Sequence, residues 1–73
     1  MTQSEAETAV NAAVDHIVET LNDRLNHEKQ RLVSVSNLFN AATHYEDKLR
    51  LLGKMNAYTH GIELLTDLLR DLT

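Results

Sequence analysis

The chain has 73 residues with no cysteine, proline or tryptophan. It therefore reads as one small domain without disulfides, cysteine-based zinc sites or thiol redox chemistry. A formal charge of −4 argues against general binding to nucleic acid, which needs lysine and arginine to neutralise phosphate. Hydrophobic residues make up 42% and charged residues 25%, ordinary values that disfavour disorder. No apolar run approaches the roughly 20 residues of a membrane span. The acidic opening "MTQSEAE" is unlike a signal or transit peptide, so a cytoplasmic, non-membrane, non-secreted protein is expected. A domain of this size buries only about 60% of its unfolded surface, and such scaffolds gain robustness from disulfides, metals or association.

The first helix is predicted over about residues 5–32. Ser4 precedes Glu7 by three, a capping-box spacing in which each side chain satisfies the other's free backbone donor. Val10, Val14, Ile17, Leu21 and Leu25 recur at intervals of three or four and share one helical face. Ala6, Ala9 and Ala13 extend that face. "NHEKQR", residues 26–31, has no apolar residue. It continues the helix through pairs such as Arg24–Glu28 but offers little to a core.

A connection is expected over residues 33–43. "VSVSN" is poor in strong helix formers, and its serines and asparagine compete for backbone hydrogen bonds. "NLFNAA" is a candidate short helix inside the connection, with Leu38 and Phe39 closing the end of the core.

The second helix is predicted over about residues 44–71, started by a Thr43–Glu46 capping box. Leu51, Met55, Tyr58, Ile62, Leu65, Leu69 and Leu72 step alternately four and three, a heptad seam of the kind that packs knobs into holes. Each helix is about 28 residues, roughly 42 Å, long. A short connection makes the two antiparallel, so the expected fold is all-α, a long antiparallel helical hairpin of coiled-coil type.

The second helix is apolar over more than one stripe. Leu51–Leu52, Leu64–Leu65 and Leu68–Leu69 are doublets, and one partner helix cannot cover them all. Exposed apolar patches beyond a few hundred Å² mark interaction surfaces. Either the connection folds back over the extra leucines, or hairpins associate into a helical bundle. Gly53, Ala57 and Gly61 are spaced by four, and small residues at that spacing let another backbone approach closely. Alternatively, Gly61 ends the helix, although the heptad seam runs past it without a phase slip. The expected helix-packing and oligomer residues are Leu51, Gly53, Met55, Ala57, Tyr58, Gly61, Ile62, Leu65 and Leu69.

Charge is uneven along the chain. Residues 1–23 carry Glu5, Glu7, Asp15, Glu19 and Asp23 and no base. Arg24, Lys29, Arg31, Lys48, Arg50 and Lys54 lie between residues 24 and 54 with only Glu28, Glu46 and Asp47 as acids. A hairpin then has a basic connection end and an acidic open end. The six bases are a candidate charged contact surface, or else a solvated face with intrahelical pairs such as Glu46–Arg50.

Catalytic and metal chemistry find no support. His16, His27, His44 and His60 include no i, i+4 pair, and no glutamate precedes a histidine by three. The helical zinc-protease and di-metal bundle patterns are both missing. There is no glycine-rich phosphate loop, and the serines have cap or connector roles. No cofactor, metal or small-molecule substrate is expected, and no enzymatic activity.

"HYEDKLRLLGKMNAYTHGIELLTDLL", residues 44–69, resembles a pattern in small helical proteins of tailed-bacteriophage structural gene clusters. Tyr45, Leu52–Gly53, Met55, Ala57–Tyr58 and Gly61–Ile62 carry the resemblance. The connection is poorer in glycine than in those proteins. The resemblance implies a structural virion or virion-assembly component, with copies of itself or other assembly proteins as partners, in the host cytoplasm or the particle. A second reading is a small acidic inhibitor or regulator of a host protein, a nucleic-acid mimic using Glu5, Glu7, Asp15, Glu19 and Asp23. Direct nucleic-acid binding through the six bases is a third, which lacks interleaved aromatics and net positive charge.

Overall fold

The computed structural model describes residues 2–73. It contains two helices, α1 over Gln3–Ala41 and α2 over Tyr45–Leu72. They pack as an antiparallel-like hairpin measuring 64 × 15 × 14 Å. Its radius of gyration is 18.1 Å, against about 11 Å for a compact 73-residue globule.

The helices are unequal, 39 residues against 28, or about 58 and 42 Å. The expected end of α1 near residue 32 and the loop over 33–43 are both corrected. α1 runs on to Ala41, the connection is only residues 42–44, and there is no separate short helix in it. The reason is packing. Leu32 and Phe39 are half-buried and Val35 is buried, so the stretch of weak helix formers supplies the last two turns of the core. Tertiary burial outweighs a propensity deficit of a few tenths of a kcal/mol per residue.

Both helix starts also differ from expectation. Thr2, not Ser4, caps α1. The Glu5 amide donates to Thr2 Oγ1 at 3.2 Å, and the Thr2 amide donates to Glu5 Oε2 at 3.3 Å. "TQSE" and "SEAE" have the same capping-box spacing, and the earlier one is used. His44, not Thr43, is the N-cap of α2, and no side chain caps it. Glu46 and Asp47 in the first turn serve the helix dipole instead.

The core is a two-helix seam. On α1 it follows Val14, Val18, Leu21, Leu25, Glu28, Leu32, Val35 and Phe39, and on α2 Lys48, Leu51, Met55, Tyr58, Ile62, Leu65 and Leu69. Both series step alternately by three and four. Their members are buried or half-buried while their neighbours are largely exposed. The α2 series is the predicted seam from Leu51 to Leu69, joined by Lys48, while Leu72, expected as its last member, is 40% exposed. The α1 series is rotated from the predicted one: Val10 and Ile17 lie outside it, 61% and 46% exposed, and Val18 takes the inward place. The apolar gap at residues 26–31 is bridged by Glu28, whose side chain is only 16% exposed and lies 3.9 Å from Arg24 Nε.

The burial is thin. Among the described residues only Leu25, Val35 and Leu51 are buried, and no large side chain is fully enclosed. Phe39 helps close the connection end, with Lys48 Nζ 5.0 Å from its ring centroid. That cation–π contact explains a lysine near a helix N-terminus, where the dipole disfavours it. Leu38, expected beside Phe39 in the core, faces solvent.

Candidate helix–helix interface

The two seams fix which faces the hairpin leaves free. With the core residues at heptad positions a and d, the g positions of the two antiparallel helices flank one side and the e positions the other. The e flank is mostly polar: Asp15, Asn22, Lys29 and Ser36 on α1, Thr59 and Thr66 on α2, with Tyr45 and Leu52 near the connection.

The g flank differs. Together with the adjoining c positions it carries a second heptad-spaced stripe on each helix. On α1 the stripe is Ala6, Val10, Ala13 and Ile17; on α2 it is Ala57, Gly61, Leu64 and Leu68. Leu64 and Leu68 are 52% and 51% exposed. Between the helices on this side lies an open groove of about 490 Å³, lined chiefly by Leu21, Gly61, Leu64, Leu65 and Leu68 with Arg24 and Glu28 at its edge. The connection does not fold over these leucines, since it is three residues long and sits at the other end.

The glycines are now placed. Both lie inside α2, which is continuous from Tyr45 to Leu72, and neither has positive φ. Gly61 does not end the helix. A Cβ built on it would sit 3.9 Å from Glu28 Oε2, so Gly61 lies across from the one charged member of the α1 seam. A Cβ at Gly53 would meet nothing within 4 Å. Gly53 occupies position f, outside both stripes, and gives no close approach within the hairpin. Gly53→Ala should stabilise the protein by about 0.5–1 kcal/mol, the intrinsic helix preference. Urea denaturation measures this, and an unchanged or lowered midpoint would mean that a Cβ there meets something the hairpin lacks.

Of the other residues singled out from sequence, Leu51, Met55, Tyr58, Ile62, Leu65 and Leu69 turn toward the hairpin's own α1 seam, and Ala57 is exposed on the free stripe. Arg24, Lys29, Arg31, Arg50 and Lys54 are exposed, and Lys48 is half-buried against Phe39. The ion pairs among the described residues are all intrahelical: Arg24–Glu28 at 3.9 Å, Asp47–Arg50 at 3.6 Å and Asp67–Arg70 at 2.8 Å. Arg50 thus pairs with Asp47 rather than with Glu46. The Asp47–Arg50 and Asp67–Arg70 pairs are exposed and contribute at most about 1 kcal/mol each. Among the described residues no group of three or more histidine, aspartate or glutamate side chains gathers as a metal site. None of the described helices is long and apolar enough to cross a membrane.

The residue that sequence reasoning missed is Val18, and with it the assignment of Val10 and Ile17 to the free face. The signal lay in the continuation through Leu32, Val35 and Phe39, which keeps phase only with Val14, Val18, Leu21 and Leu25. No protein-family model matches the chain, and no curated protein or solved structure is significantly similar to it.

Proposed function

We propose that this protein is a non-enzymatic assembly or adaptor module that works by helix–helix contact through its g flank. The observation that carries the reading is the second apolar stripe. Val10, Ile17, Leu64 and Leu68 repeat with heptad spacing on both helices and lie exposed on one side of the hairpin. A solvated face has no use for such a repeat, whereas a third and fourth helix would cover it as in a four-helix bundle. The resemblance of residues 44–69 to small helical proteins of tailed-phage structural gene clusters supports a virion or virion-assembly setting, with further copies or other particle proteins as partners.

Sedimentation velocity at micromolar concentration, in about 0.1 M and 1 M salt, tests this. An oligomer that persists at high salt is expected, since apolar contact is not screened. The acidic-regulator reading rests on Glu5, Glu7, Asp15, Glu19 and Asp23, which are exposed and form no ion pair among the described residues. It predicts instead a monomer whose binding to a basic host protein collapses as salt rises.

A further inference from the structure

Resting on that assembly reading, we infer that α2 pairs antiparallel with α2 of a second copy, about a twofold axis that passes between Ile62 and Glu63. The observation that carries it is the order of side chains along the free stripe of α2, which is complementary to its own reversal.

In chain order that stripe is Lys54, Ala57, Gly61, Leu64, Leu68 and Asp71: a base, two small residues, two leucines and an acid. Positions 61 and 64, 57 and 68, and 54 and 71 are each equidistant from the point between Ile62 and Glu63. An antiparallel copy centred there sets Leu64 over the partner's Gly61, Leu68 over the partner's Ala57, and Lys54 beside the partner's Asp71. Each contact occurs twice, as a self-complementary interface requires. Large side chains enter the gaps left by small ones, which lets two helices pack closely. Lys54 and Asp71 have no ion pair among the described residues. Asp71 also lies in the last turn of α2, where the helix dipole disfavours an acid. The partner's lysine offsets both. Copies with their connections at the same end would instead lay α2 against the partner's α1. Leu64 would then face Arg24, which stands level with it across the groove.

The α1 wall of the groove obeys the same axis. Gly61 lies across from Glu28, 3.9 Å from its Oε2 to a Cβ built on the glycine, and Lys48 lies across from Phe39. That register places the axis level with Leu25 and Asn26, between Arg24 and Glu28. The polar pair of the groove therefore falls at the centre of the contact. The Glu28 side chain is 16% exposed, and Arg24 Nε at 3.9 Å is too far for a hydrogen bond. Covering the groove strips the remaining water from this carboxylate, which must then gain a donor. The twofold brings it the partner's Arg24, whose side chain is 71% exposed in the hairpin. Farther out, the same axis sets Leu38 beside the partner's Ala13 and Val10 beside the partner's Ala41. Leu38 and Val10 are 58% and 61% exposed in the hairpin. The first turns of α1, which run past the end of the shorter α2, then lie along the partner's connection end.

The test exchanges the charges at positions 54 and 71. These are about 25 Å apart along one helix, so neither senses the other within a chain. Lys54→Glu alone and Asp71→Lys alone each turn attraction into repulsion at both symmetric contacts. Each is expected to weaken the dimer about tenfold in dilute salt, read by sedimentation equilibrium with helix content unchanged. Asp71→Lys lowers the net charge of −4, so a loss there is not general repulsion. The double variant Lys54→Glu, Asp71→Lys should recover wild-type affinity within about threefold, and so should an equimolar mixture of the two single variants. Because the chain has no cysteine, oxidising a mixture of Ala13→Cys and Leu38→Cys proteins should give the mixed disulfide dimer in preference to either symmetric one. A wild-type dimer in which the single exchanges cost nothing, the double exchange restores nothing, or the mixed disulfide fails to form would overturn this arrangement and leave the assembly reading standing. A monomeric wild type at micromolar concentration would overturn both.

Discussion

The Leu64→Glu, Leu68→Glu double variant is expected to sediment as a monomer while keeping its helix content. Each leucine is about half exposed in the hairpin, so covering the remainder is worth about 1 kcal/mol. A symmetric dimer contains each site twice, which totals about 4 kcal/mol, close to a thousandfold in dissociation constant. Placing four carboxylates in a dry contact adds several kcal/mol more. Within one hairpin the same changes cost little, because position c and g side chains already face water. Thr59→Glu, Thr66→Glu is the matched control. It adds the same charge to the same helix on the opposite flank and should leave assembly within a few-fold. Equal loss in both variants would point to net charge, and no loss in the leucine variant would remove the g flank from the interface.

That contrast between flanks explains how far the sequence could be read. On α2 the seam was legible because Leu51, Met55, Tyr58, Ile62, Leu65 and Leu69 keep one phase, and only one phase fits them all. The leucine doublets also announced that the apolar face was too wide for a single partner. On α1 two phases compete. Val10, Val14, Ile17, Leu21 and Leu25 form one series with helical spacing, and Val14, Val18, Leu21 and Leu25 form another. They differ by a modest rotation and share three residues. The structure chooses the second, because it alone continues through Leu32, Val35 and Phe39 to the connection, with Glu28 as a tolerated polar step.

The ends were degenerate for a related reason. Thr2–Glu5 and Ser4–Glu7 are the same capping box two residues apart, and local chemistry cannot choose between them. The C-terminal boundary of α1 was hidden because valine and serine signal weak helix preference, while long-range burial of Val35 decides the outcome. Charge placement carried across from sequence almost unchanged, since the hairpin topology alone sends Lys48, Arg50 and Lys54 to the connection half. The role of Lys48 required the position of Phe39 across the seam.

Leu51→Ala should be the most damaging single truncation in the hairpin. Leu51 is 6% exposed, the lowest value among the three buried residues. Removing a buried leucine side chain costs about 2–5 kcal/mol, from lost transfer energy and the cavity left behind. A 73-residue domain has only about 4–11 kcal/mol of stability at ordinary values per residue. The variant is therefore expected to lose between about a fifth and all of it, and to be partly unfolded at 37 °C. Its neighbour gives the comparison. Leu52 has the same chemistry, one residue on, but is 41% exposed at position e, and Leu52→Ala should cost under about 1 kcal/mol. Because assembly would add stability by mass action, both variants are to be compared at one protein concentration, by urea midpoint and circular dichroism. A Leu52→Ala cost equal to that of Leu51→Ala would mean that position e is covered in solution. The polar e flank, not the g flank, would then be where a partner binds. A large gap between the two fixes the rotation of α2 about its axis, and with it the side of the rod on which Gly61, Leu64 and Leu68 stand open.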